Sequence, residues 1–430
     1  MNKTKKYILA VCLVGVLSTA CEKKEILPGK REEFLKSMEE NTIINKSIAN
    51  EKVQISSAVS IESHVDVAGN KQHNMVNNKM SANPSVLWKK SFGRGPINAS
   101  AISFGGNIYI VDSRGILFCI SQKSGEVVWE KLIAKQPDES VFSGGLTSDN
   151  GVIYVTTNIG DVVAIDSKTQ KNLWTKSLKL PLKGSALFVN GKLIVTTVDS
   201  QTFSLDSRTG AIVWTKTVNK EQTMMAESSV PALSRSGVVC AYSSGDIVSL
   251  DLNSGSDNWA DVLCSANISE SGFVISHIAA SPVVHGDSVL AATSESKMVL
   301  TDAATGARIW EQNIGTINTP LIMNGWVFAL TNSGELVCLS MKDGSIKWKV
   351  NAKTFSNEKK PEDVLLTGPM IINGNIVIFD ATGNIMSFDP STGLFRKKIN
   401  IEKASIARVP MIINGVMYAV TNRAEIYAIG

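Results

Sequence analysis

The chain is poor in residues that carry chemistry. It has four His, and they are scattered: His64 and His73 lie in a polar stretch, while His277 and His285 stand eight residues apart. Its six Cys include no CxxC, no CxxCH and no adjacent pair, so a disulfide framework, a zinc site or a haem attachment has no sequence basis. Cys119 (in LFCIS), Cys338 (in LVCLS) and Cys240 (in VVCAY) read as small apolar residues of strands. The glycine patterns that cradle nucleotide phosphates are missing. Charge is sparse and balanced. Once Lys3, Lys5 and Lys6 are set aside with the leader, 40 basic residues face 39 acidic ones, which argues against a nucleic-acid partner. Beyond the leader, no apolar run is long enough to span a bilayer.

What is present is a repeat. Leu205 to Trp214 (LDSRTGAIVW) reads as a strand end, a tight turn and a strand carrying Trp. Copies run from Ile120 to Trp129, Ile165 to Trp174, Leu250 to Trp259, Thr301 to Trp310 and Leu339 to Trp348. In the copy at 165–174 Gln170 replaces the turn Gly, and in a degenerate last copy, 388–397, Lys397 replaces Trp. A lone Trp88 precedes the first copy. The Trp-to-Trp intervals are 41, 45, 40, 45, 51 and 38 residues, a period that signals a propeller array. Each unit also carries an Asn-Gly or similar pair between apolar runs, the short hairpin signal that demands positive φ at both central residues.

Four antiparallel strands per unit make one blade. Trp88 has no three strands before it, and the set ending at Ile429 has no fourth strand after it. Closure is therefore expected through the Trp88 strand completing the C-terminal blade, which removes two open sheet edges. The expected fold is all-β, an eight-bladed propeller of four-stranded antiparallel blades spanning 85–430. The repeated Trp is expected to pack between blades, near the turn Gly of its own repeat. Asp166, Asp206, Asp251, Asp302 and Asp389 open the repeat turns, where Asp caps the backbone.

The N-terminus is different material. Lys3, Lys5 and Lys6, the apolar run Tyr7 to Val16 and the small residues before Cys21 read as a secretory signal over 1–20. Cys21 sits where a bacterial lipobox places its lipidated Cys, with Ser18 in the place usually held by Leu. Lipidation of Cys21 would anchor the chain to a membrane. Residues 21–84 contain one aromatic, Phe34, and read as a flexible tether. Within it, 28–47 suggests a short helix, and the patchy alternation of 53–67 suggests an edge strand.

The pattern Leu-Asp-x-x-Thr-Gly-x-x-x-Trp resembles the repeat of pyrroloquinoline-quinone-type propellers, over roughly 86–430. One branch of that family comprises quinone-dependent dehydrogenases, which combine an adjacent Cys pair with calcium-binding carboxylates. This chain has no such Cys pair. The other branch, the BamB-like outer-membrane assembly lipoproteins, pairs a lipoprotein signal and tether with eight blades. Leu27-Pro28-Gly29-Lys30-Arg31 looks like the Pro-Gly-Glu-Arg-type segment of its alphaproteobacterial members. Leu180-Pro181-Leu182-Lys183-Gly184-Ser185-Ala186 is similar to that branch's inter-blade loop, which contacts the periplasmic POTRA domains of a BamA-like barrel-assembly protein. The resemblance implies that Leu180 and Leu182 are exposed apolar anchors, that Lys183 stands where the branch has Arg, and that Glu227 takes the place of an acidic loop residue. Read from the residues alone, the same Leu pair could instead plug the gap between two blades.

The resemblance thus implies a non-enzymatic scaffold without cofactor or metal. It would be lipid-anchored in the outer membrane and face the periplasm. Its partners would be the POTRA domains and nascent outer-membrane proteins. A quinone-dependent dehydrogenase, a quinone-binding sensor, or another cell-surface adaptor lipoprotein are the alternatives.

Overall fold

The computed structural model describes residues 44–66, 69–134, 142, 144–218, 229–263, 268–269, 272–273, 277–356, 364–401, 404, 406 and 408–430. The chain divides into two compact units, 1–42 and 43–430, and the first lies outside the described residues. The possible helix at 28–47 falls mostly there. Its described end forms one short 3₁₀ turn, Lys46–Ile48.

From Ile102 the chain folds into strands that pair with their sequence neighbours. Ile102–Phe104, Asn107–Val111, Ile116–Ser121 and Val127–Leu132 make blade 1. Blades 2 to 7 repeat this antiparallel order over 144–177, 182–217, 232–262, 283–312, 321–351 and 366–400. Blade 8 takes Met411–Ile413, Val416–Val420 and Glu425–Ile429 from the C-terminus and Val86–Ser91 as its outer strand. The closing strand pairs Trp88 with Ala428 and Ser91 with Glu425. Residues Ser85 and Gly430 exchange backbone hydrogen bonds at 2.9 and 3.0 Å. The eight-bladed, Trp88-closed ring expected from the repeat is the observed fold.

The first hairpin of most blades turns through two residues of positive φ. Asn190 and Gly191 lie at 48° and 75°, and Asn324 and Gly325 at 46° and 84°. Asn and Gly tolerate this conformation, and its twist matches that of the flanking strands. The second and third strands of the blades are largely buried runs because both of their faces are covered, whereas most outer strands alternate exposed and half-buried residues. One hydrophobic cluster fills each of the eight seams between neighbouring blades. Cys119, Cys240 and Cys338 lie buried as free thiols in three of these clusters.

The Trp packs across the seam, not on its own turn as expected. A Cβ added to Gly125 would meet the Trp88 ring at 2.6 Å. The same relation joins Gly210 to Trp174, Gly255 to Trp214, Gly306 to Trp259, Gly344 to Trp310 and Gly393 to Trp348. Each Gly belongs to the blade after its Trp. The indole N–H then donates to a carbonyl of that next blade, as from Trp214 to Leu252 at 3.1 Å and from Trp259 to Ala303 at 2.8 Å. The geometry needs a turn residue without a side chain at positive φ.

Both departures from the repeat become legible here. Gln170 keeps the positive φ of the turn, at 62°, and is exposed, while the Trp129 ring of the preceding blade leans on Tyr109 with centroids 5.9 Å apart. Lys397 faces the closing blade, which has no continuous turn to offer, because its third and fourth strands come from opposite ends of the chain. Its ammonium donates to the carbonyl of Ala82 at 3.1 Å, just before the closing strand. A flexible cation replaces a rigid indole where the acceptor is not a repeat turn.

From Ile44 onward the expected free tether is instead packed on the ring. Ile44 bridges to Ile346 at the outer edge of blade 6. Lys347, 2% exposed, donates to the carbonyls of Ile48 at 2.7 Å and Ala49 at 2.8 Å, with its ammonium 5.2 Å from the Trp326 ring centre. Val53 enters the seam between blades 6 and 7. The expected edge strand at 53–67 reduces to isolated bridges at Val59 and His64.

Residues 61–80 then visit the innermost strands in order. Ile61 meets blade 8 at Asn414, His64 meets blade 1 at Ser103, and Val65 meets blade 2 at Ser148. The Lys71 ammonium lies 5.2 Å from the Phe188 ring centre of blade 3, and its carbonyl accepts from Leu233 N of blade 4. Gln72 meets blade 5 at Val284, and Asn74 reaches Ile322 of blade 6. Asn77 and Asn78 pair in parallel with Ile371 and Ile372 as an added inner strand of blade 7.

Candidate partner-binding site

The connection between blades 2 and 3 is fixed from several sides. Leu178 N donates to Gly160 O at 2.8 Å, Val198 N donates to Pro181 O at 2.9 Å, and the Thr156 hydroxyl donates to Gly184 O at 2.5 Å. Gly160, at φ 93°, lies so close beneath that a Cβ there would stand 2.8 Å from the backbone N and O of Leu180. Lys179 takes the left-handed conformation at φ 60°, which reverses the chain. The next strand, Leu182–Val189, has eight residues, whereas the inner strands of blades 1, 4, 5, 6 and 8 have two or three. Blade 3 therefore holds the connection on a rigid support.

The structure divides the residues singled out by sequence. Lys179 and Pro181 are exposed, whereas Leu180 is half-buried and packs against the seam between blades 2 and 3, so it is not the exposed anchor expected. Leu182 is 3% exposed, which corrects its expected role as an exposed anchor. It pairs with Thr197 and sits in the seam with Tyr154, Val162 and Phe203. Alternation explains the split: Pro181 and Leu182 are neighbours, so one faces out when the other faces in. Lys183 lies opposite Thr196 in the same strand pair. Glu227 and Cys21 lie outside the described residues.

The repeat-turn Asp residues cap their own turns. Asp206 accepts from Arg208 N at 3.1 Å and from Thr209 N and Oγ1 at 2.9 Å. These bonds hold its carboxyl below the usual range, led by the Thr209 hydroxyl. Asp166, Asp251 and Asp302 repeat the arrangement, and the Asp389 carboxyl is lowered as well. His285 faces Asn74 at 2.8 Å. Among the described residues, no three His, Cys, Asp or Glu side chains gather as metal ligands, and no helix is long and apolar enough to cross a membrane.

The sequence reading missed the docking of 44–80. One signal was available. At the position before Trp, other blades show Leu87, Val128, Leu173, Val213 and Ile309, all exposed, whereas blade 6 has Lys347, which is buried. That departure marks the outer strand that the N-terminal segment covers.

Comparison with known proteins converges on one family. The family model described as outer membrane protein assembly factor BamB matches residues 38–131 and 132–350. The BamB of Shigella dysenteriae is 26% identical over 359 residues, 80% of this chain and 88% of that one. An uncharacterised protein of Rickettsia prowazekii is 21% identical over 375 residues, 85% of this chain and 86% of its own. Among solved structures, BamB from Moraxella catarrhalis superposes with a TM-score of 0.69 at 20% identity, covering 81% of this chain and 99% of that one. A quinohemoprotein alcohol dehydrogenase from Comamonas testosteroni shares the fold with a TM-score of 0.66 at 12% identity, covering 90% and 82%. Repeat, ring and family match agree, and the chain belongs to the outer membrane protein assembly factor BamB family.

Proposed function

We propose that the protein is a non-enzymatic scaffold of outer-membrane protein assembly. It is held to the outer membrane through lipid on Cys21 and presents its ring to the periplasm. Family membership supports the general role. The observation that carries the binding site is the rigid 178–184 connection, which displays Lys179, Leu180 and Pro181 on fixed backbone. A half-buried Leu beside a cation suits an interface anchor with a charged rim. The partner is the periplasmic POTRA region of a BamA-like protein, and nascent outer-membrane chains are the cargo it helps to deliver.

Leu180→Asp, alone and with Lys179→Glu, should abolish co-purification with a POTRA-containing protein; because Leu180 also packs against the seam, Lys179→Glu alone, which should leave circular dichroism and melting near wild type and still weaken recovery, is the control. Unchanged recovery would sink the site. Leu182→Asp is a poor probe because it strikes the seam. Conversion of Cys21 to Ser should move the protein from the membrane fraction to the soluble periplasm.

A further inference from the structure

We propose that residues 61–66 and 69–80 form a permanent internal girdle, which narrows the channel mouth on the face of the first hairpin turns and couples all eight blades into one unit. A propeller made only of neighbouring blades resembles a closed repeat array, in which each unit senses its two neighbours. The girdle adds a second connection that touches every blade. At six blades its means are main-chain hydrogen bonds, which are insensitive to side-chain drift in the repeats; blade 3 is met by the Lys71 ammonium and blade 6 by the Asn74 side chain. His64 and Ser103 exchange a pair of bonds at 2.7 Å. Leu233 N donates to Lys71 O at 2.7 Å, Val284 N to Gln72 O at 2.9 Å, and Asn373 N to Asn78 O at 2.9 Å.

Inner strands have one edge towards the channel, and unpaired donors on that edge would otherwise need water or a ligand. The girdle satisfies them from within the chain. Three of its polar side chains are buried as in a core: His73 is 2% exposed, and Asn77 and Asn78 are 4%. They are also satisfied. The His73 Nδ1 lies 3.0 Å from Pro282 O, Asn77 Nδ2 donates to Ser56 O at 2.7 Å, and Asn77 Oδ1 accepts from Gly374 N at 3.0 Å. Thr147 donates to Asp66 Oδ1 at 3.1 Å. A segment so bonded is part of the fold, not a lid poised to leave.

Two measurements on the full chain test this. In the first, a specific protease site is inserted at the exposed Ala82–Asn83 step and cut after purification. The released N-terminal fragment should stay with the ring through native gel filtration, with the Ser103, Leu233, Val284 and Asn373 amides protected from exchange. Separation of the fragment from a ring that stays folded would overturn the proposal. In the second, Asn77→Ala with Asn78→Ala loosens the girdle at blade 7 alone. Exchange should rise at least tenfold at Ser103, Leu233 and Val284, in blades that the substitution does not touch. A rise confined to blade 7 would show a local contact and refute coupling.

Discussion

Replacing Gly255 with Ala isolates the contact that repeats around the ring. Gly255 sits at φ 72°, where a Cβ costs about 1–2 kcal/mol through backbone strain alone. The same Cβ would stand 2.6 Å from two atoms of the Trp214 ring, and overpacking of that kind adds about 1–3 kcal/mol. Gly191 provides the control. Its φ is 75°, yet a Cβ there meets nothing within 4 Å, so Gly191→Ala carries the strain without the clash. The expected losses are about 2–5 kcal/mol for Gly255→Ala and about 1–2 kcal/mol for Gly191→Ala. In a ring of this size, roughly 1 °C of melting temperature corresponds to each kcal/mol, so calorimetry should separate the two by about 1–3 °C. Trp214→Leu in the Gly255→Ala background should recover part of the difference, because the ring that the Cβ strikes is gone. Equal shifts for both Ala variants would refute the idea that the turn Gly is a docking surface for the preceding Trp.

Three further outcomes follow from named groups. Burial lowers the His73 imidazole to about 4, so it stays neutral while an unfolded His takes up a proton near 6.5. The unfolded state binds more protons between those values, so stability should fall as pH drops from about 6.5 to about 4, and His73→Gln should flatten that segment of the melting curve. Lower still, the depressed turn carboxylates such as Asp206 and Asp302 should add a further acid loss as they protonate. Lys347→Met removes a buried cation that donates to two carbonyls, and trypsin should then cut after Lys46 and Lys52 at least ~10-fold faster, since bonds from charged donors contribute about 1.5–3 kcal/mol each. Burial raises the Cys119 thiol to about 11 and the Cys240 thiol to about 12, so peptide mapping after iodoacetamide treatment at pH 8 should find both unmodified until the ring is denatured.

Much of the ring was legible because each blade repeats local rules. Asn-Gly turns, apolar strands and a Trp per unit are short-range features, and the unmatched Trp88 strand could be paired by elimination with the unmatched end. The direction of the Trp contact was not legible. Spacing places Trp near a Gly, and only the seam shows that the Gly belongs to the following blade. The docked 44–80 segment escaped because main-chain hydrogen bonds leave no hydrophobic period, and its polar composition matches that of a free tether. Lys347 was its one side-chain trace. At the candidate site, the Leu-Pro-Leu string suggested two anchors, but a strand starting at Leu182 turns that residue into the seam, against which the half-buried Leu180 also packs, and leaves Pro181 outside.

The closing strand has a consequence for how the molecule is made. Val86–Ser91 is synthesised early, and its partner Glu425–Ile429 is the last strand to emerge. Asn77 and Asn78 likewise wait for Ile371 and Ile372. Contacts of such sequence separation form slowly and leave strand edges open in the meantime. A chain stopped short of its last blade would keep the Val86–Ser91 edge bare and leave the Trp88 ring without its contact on Tyr418. The ring thereby depends on its last-made blade: it closes only when Glu425–Ile429 is there to pair with Val86–Ser91.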